Sequence, residues 1–287
     1  VTGVSLSGAD KDNYTFSAGG LSVNITPRTL VVQASVADRF YDGTTNASAT
    51  LGDNRITGDE LTLASSGASF DSKNAGTGKT VTVSGLAISG TDASNYTLGT
   101  TSLTTLANIL RAPVTVVAAD QAKVYGNRLS PAGTEFSASG VVSGESIDRV
   151  SLGSTGLDET ASVGAYALTP SGASGTNFEP ANYLVSYVDG RLSVSPRPLS
   201  IAAKTLVRYV GDTTPLELGY SPSVGGLVNG DQIRSVAIAA PAGLDSAVGG
   251  SVFTLTPSGA TFVDNGDASN YLVNYQNGLL IWYWNEQ

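Results

Sequence analysis

Chemistry in this chain would have to come from oxygen ligands and aromatic rings. The 287 residues contain no histidine and no cysteine, which removes Ser-His-Asp triads, thiolate nucleophiles and most zinc sites. Paired carboxylates could still do acid–base work, but the acids recur in the same turn contexts, whereas a catalytic pair belongs in one cleft. The reading is therefore of a protein that is not an enzyme. Calcium is the more serious case, because Asp10-Lys11-Asp12-Asn13, Asp92-Ala93-Ser94-Asn95 and Asp264-Asn265-Gly266-Asp267 offer hard oxygen ligands. None has the spaced acids of an EF-hand, and Asp and Asn in Gly-rich turns commonly bond their own backbone. No metal and no cofactor is expected. Trp282 and Trp284, the two tryptophans, alternate along a terminal strand. They are the candidates for ligand contact, since exposed ring pairs stack on sugars; closing the apolar end of the last domain is the competing role. Asn13, Asn24, Asn46 and Asn95 open Asn-x-Ser/Thr sequons, which chance also supplies in a chain rich in Ser and Thr.

These residues sit in a repeat. Asn-Tyr pairs place Tyr14, Tyr96, Tyr183 and Tyr271 at intervals of 82 to 88 residues. Tyr41-Asp42-Gly43, Tyr125-Gly126-Asn127 and Tyr209-Val210-Gly211 keep the same beat, as do Gly58-Asp59, Gly144-Glu145 and Gly230-Asp231. Markers in one order at one period define tandem units, and this period suits one small domain each. The expected division is 1–26 as the closing segment of a preceding repeat, then domains at 27–112, 113–197 and 198–287. Short joints carry proline, at Pro27, Pro113, Pro196 and Pro198, which makes them extended and stiff. Arg28, Arg111 and Arg197 lie beside them, either as solvated strand-edge charges or as bonds that fix the angle between neighbours.

Within a repeat the apolar period is 2, as in Leu30-Val32-Ala34-Val36 and Val81-Val83. Asp189-Gly190 and Asn277-Gly278 read as hairpin turns. The Gly-acid markers read as caps of one short helical turn, and the repeated tyrosines as buried rings with their hydroxyls on backbone. The fold class expected is all-β, tandem small Ig-like β-sandwiches stacked end to end. The alternative is β-grasp-like domains with one short helix each. Charged residues make up 14% and the net charge is −9, which disfavours nucleic acid and anionic membranes as partners. No apolar run is long enough for a membrane helix. The lack of cysteine favours a bacterial surface protein over an exported eukaryotic module.

The stretches NGDQI…VGGSVFTLTPSGA…NYLVNYQNG and GESI…VGAYALTPSGA…NYLVSYVDGRLSV resemble MBG domains of bacterial surface exoproteins, and RFYDGTTNASATL resembles the sister YDG domain. The last repeat differs at Arg208-Tyr209-Val210-Gly211-Asp212, read as one extra residue between Tyr and Gly. The resemblance implies a filamentous-haemagglutinin-like adhesin exported by two-partner secretion. In such a protein this segment would be an extracellular stalk, with neighbouring repeats as its partners. Contact with matrix polysaccharide or a host surface would lie outside the segment, unless one domain is itself a carbohydrate- or receptor-binding module.

Overall fold

The computed structural model describes residues 4–17, 19, 22–223, 225–243, 247–263 and 268–285. They form strands and short 3-10 turns arranged as β-sandwiches. The chain divides into two compact units, 1–111 and 112–287.

In the first unit, Arg28–Leu30 pairs in parallel with Tyr96–Leu98, and Val32–Val36 pairs antiparallel with Ala49–Asp53. The facing sheet has five strands, in the order Arg39–Phe40, Ser102–Leu110, Gly76–Ser84, Gly67–Phe70 and Asn46–Ala47. The alternation read from the sequence sets the core: Leu30, Val32, Val83, Leu86 and Tyr96 are buried together, each large apolar side chain contributing about 1.5–3 kcal/mol. The preceding described residues contain one 3-10 turn, Lys11–Asn13, with nothing buried.

The second unit holds two versions of one plan. In the second repeat, Ala112–Ala118 lies between Phe136–Ser139 and Tyr183–Val188. The opposite sheet runs Gln121–Val124, Gly190–Ser195, Gly164–Ser174, Arg149–Gly153. The third repeat repeats this with Arg197–Ala203 between Tyr220–Pro222 and Tyr271–Gln276, facing Leu206–Tyr209, Gly278–Tyr283, Val252–Phe262 and Ile233–Ala239.

Two local expectations are corrected. Asp189-Gly190 and Asn277-Gly278 do not close hairpins. Tyr183–Val188 pairs in parallel with Ala112–Ala118, while Gly190–Ser195 belongs to the opposite sheet, so the chain crosses between layers there. The glycine serves close approach: a Cβ on Gly190 would lie 2.7 Å from the Ala118 carbonyl oxygen, and one on Gly278 would lie 2.5 Å from that of Ala203. The helical turn expected at the Gly-acid markers is instead a plain turn. The 3-10 turns precede the tyrosines, at Ala93–Asn95, Pro180–Asn182 and Ala268–Asn270. No helix among the described residues is long and apolar enough to cross a membrane.

Candidate functional site

The three families of markers, scattered in sequence, converge where the second repeat meets the third. Gln121–Val124 runs parallel to the closing strand of its own repeat, and the Tyr125 amide donates to the Ser195 carbonyl at 2.9 Å. This pins Tyr125 at the end of the repeat, against Ser195, the residue before the joint proline. Gly126 turns the chain with φ +82°, and the Asn127 amide closes the turn on the Val124 carbonyl at 3.1 Å. Lys123 is buried beneath the turn, donating to the carbonyls of Asn127 and Asp158, and its burial lowers the ammonium pKa.

The third repeat supplies the receiving half. The turn from Val228 to Asp231 uses two left-handed residues, Asn229 at φ 56° and Gly230 at φ 80°. It presents the Asp231 carboxylate inward, 7% exposed. Tyr271, placed by the 3-10 turn before it, donates its hydroxyl to Asp231 Oδ2 at 2.6 Å and accepts from the Val228 amide at 3.2 Å. Tyr125 donates to the same oxygen at 3.0 Å from across the joint. Its ring meets that of Tyr271 edge to face at 5.6 Å, and Phe262 stacks on the other side of Tyr271 at 5.1 Å. Two phenols from two repeats thus share one buried carboxylate, an arrangement of charge-assisted bonds.

Backbone and apolar contacts extend the joint. Asn270, 2% exposed, accepts from the Val163 amide of the second repeat at 2.9 Å. Asn229 donates to the Glu159 carbonyl at 3.0 Å. Arg197 reaches the Tyr125 carbonyl and Asn127 Oδ1, each at 3.4 Å, and the Gly225 carbonyl at 3.1 Å. Of the two roles read for the joint arginines, Arg197 takes the bridging one. Val163, Tyr166 and Val194 pack in one cluster with Leu199, Ile201 and Phe262, so the core runs through the joint. Burial, reinforced by Asp231, raises the pKa of both Tyr125 and Tyr271. Similarly, Tyr183 bonds Glu145 at 2.7 Å, and burial with that bond raises its pKa to about 12.

Strand registers decide which residues correspond between repeats, and two sequence equivalences shift. Lys123 pairs with Val194 and Val124 with Ser195, whereas Arg208 pairs with Trp282 and Tyr209 with Tyr283. The counterpart of Tyr125 is therefore Val210, whose amide bonds the Tyr283 carbonyl at 3.0 Å. The turn has no extra residue. Tyr209 faces outward, 52% exposed, and is not one of the buried rings. Likewise Arg28 and Arg197 pair with the repeat tyrosines Tyr96 and Tyr271, but Ala112, not Arg111, pairs with Tyr183.

The two tryptophans part company. Trp282 is buried with Leu255 and Leu280, and the Arg208 guanidinium lies 5.7 Å from its ring centroid. Trp284 is 64% exposed and crowds Gly249. They do not present a paired stacking surface. Of the acid clusters, Asp92 accepts from the Glu60 amide at 2.9 Å, Asp10 to Asn13 is an exposed 3-10 turn, and Asp264 to Asp267 lies outside the described residues. No group of three or more potential metal-ligating acids occurs among the described residues. The sequon asparagines Asn13, Asn24, Asn46 and Asn95 are all exposed.

The fold and the joint between the second and third repeats define a tandem β-sandwich protein. Residues 26–104 match the YDG domain family, and residues 114–193 and 199–281 match the MBG domain family of the YGX type. The chain belongs to these families. Among solved structures it is similar to Drosophila N-cadherin EC1-4 (10% identity, 91% of this chain and 76% of that chain, TM-score 0.27). It is also similar to titin domains I67-I69 in an E-to-A variant (8% identity, 89% and 99%, TM-score 0.26). No curated protein matches.

Proposed function

We propose that this chain is a spacer: a run of MBG-type repeats in an extracellular, adhesin-like protein of a bacterial surface. Its neighbours along the polypeptide are its principal partners, and it performs no catalysis. Export by two-partner secretion and a role in surface or biofilm adhesion follow from the resemblance to filamentous-haemagglutinin-like proteins. One observation carries the reading. Asp231 is buried at a joint and bonded by a tyrosine from each side, an investment in fixing one repeat against the next rather than in holding a ligand.

The test uses the absence of cysteine. With Ser137→Cys and Thr254→Cys on exposed strand positions of the second and third repeats, spin labels report the distance across the joint by pulsed electron double resonance. The expected distribution is narrow. Asp231→Ala leaves the Tyr125 hydroxyl without its acceptor, a cost of about 1–3 kcal/mol, and should broaden the distribution while each repeat stays folded. A broad distribution in the unaltered joint would refute the spacer reading.

A further inference from the structure

The first repeat carries the receiving half of the same joint. Arg28 pairs with Tyr96 as Arg197 pairs with Tyr271. The Tyr96 hydroxyl donates to Asp59 at 2.5 Å and accepts from the Ile56 amide at 2.9 Å, the counterparts of Asp231 and Val228. The bond to Asp59 raises the Tyr96 pKa. The difference lies in what covers it. Ile56 is 52% exposed, and Asn95, counterpart of the buried Asn270, is exposed. Together with Pro27, Arg28 and Asp59 they line an open pocket of about 370 Å³.

The chain entering this pocket has the apolar spacing of a closing strand. Counting back from Pro27, as from Pro196, Val23 and Ile25 correspond to Leu192 and Val194. Leu192 and Val194 are buried, at 0% and 3%, whereas Val23 and Ile25 are 87% and 96% exposed.

We infer that the Tyr96–Asp59 pocket is a socket for the tyrosine-glycine turn of another repeat, which inserts its phenol beside Tyr96 as Tyr125 inserts beside Tyr271. The partner is specified by chemistry. It needs a phenol hydroxyl to donate to Asp59 and a glycine after it, because a Cβ on Gly126 would lie 2.4 Å from Val228. The third repeat cannot serve, since Val210 at the plug position has no hydroxyl. The inference rests on the spacer reading and extends it by giving the joint a polarity: the tyrosine turn of the second repeat points toward the repeat that follows it.

The experiment places a plug before the socket. A copy of residues 112–194 replaces residues 1–25 ahead of Thr26, the rest of the chain being kept. Spin labels are placed at Ser137 of the copy and at Thr82, exposed in the first repeat. A narrow distance distribution is expected, broadened by Asp59→Ala and also by Tyr125→Phe in the copy, which removes only a hydroxyl and leaves the fold intact. A broad distribution before any substitution, or one that ignores both, would overturn the inference. The label pair across the joint at Pro196, measured in the same chain, separates the two failures. If that joint is narrow and the new one broad, the socket inference fails alone; if both are broad, the spacer reading fails with it.

Discussion

Adding a single methyl group at Gly126 should loosen one joint without unfolding either neighbour. Gly126 has φ +82°, and its structural counterpart in the third repeat, Gly211, has φ +92°. An alanine costs roughly 1–2 kcal/mol in either turn, because an L side chain is strained in this region. The surroundings differ. Around Gly211 nothing lies within 4 Å of the added Cβ, whereas at Gly126 it meets Val228 Cγ2 at 2.4 Å, Cβ at 2.9 Å and Cγ1 at 3.1 Å. Rotating the valine cannot relieve this, since its Cβ is itself too close. Carbon contacts settle at about 3.5–4.0 Å, so the two turns must part by roughly 1 Å. That carries the Tyr125–Asp231 bond from 3.0 Å beyond hydrogen-bonding range. Overpacking of this kind costs about 1–3 kcal/mol, a shift of about 5–150-fold in the closed-to-open ratio. Both variants should lose thermal stability through the strained turn, about 4–8 °C per kcal/mol for a domain of this size, and Gly126→Ala should lose more through the loosened joint. Only Gly126→Ala should broaden the distance distribution between labels at Ser137→Cys and Thr254→Cys. Equal, narrow distributions in the two variants would refute the claim that the turns are held in contact.

The joint tyrosines should titrate late. Burial and Asp231 raise the Tyr271 pKa, so its stabilising effect is complete below the ordinary phenol value of about 10 and is lost as pH rises through the higher folded value. Ultraviolet titration of the chain and of Tyr271→Phe should give a difference curve above the ordinary phenol value, coupled to loss of structure. A difference curve at the ordinary phenol value would count against the buried pair. Arg197→Ala should barely change melting, because its bridging contacts are partly exposed and pairs of this kind contribute about 0–1 kcal/mol, yet it should widen the same label distances. Unchanged distances would leave the angle to the tyrosine cluster and the proline joint.

Much of this protein was legible from spacing alone. A period of 2 along a strand says which side chains share a face, and Leu30, Val32 and Val83 are buried accordingly. The recurrence of Tyr-x-Gly, Gly-Asp and Asn-Tyr gave the number of repeats and the proline joints between them. What a strand lies beside is not a local property, and there only the tertiary structure decided. It put Asp189-Gly190 at a crossing between sheets rather than in a hairpin, because Tyr183–Val188 finds its partner in a strand that begins at Ala112. It replaced Tyr209 by Val210 in the plug position, because parallel pairing with Gly278–Tyr283 fixes the register of Leu206–Tyr209. A turn motif in sequence carries no such constraint. It also joined Tyr125 to Asp231, 106 positions away, and Tyr271 to Asp231, 40 positions away. Each marker, read singly, was a tyrosine or an acid in a turn. They become one clamp because the closing strand of the second repeat holds its tyrosine turn against the third repeat.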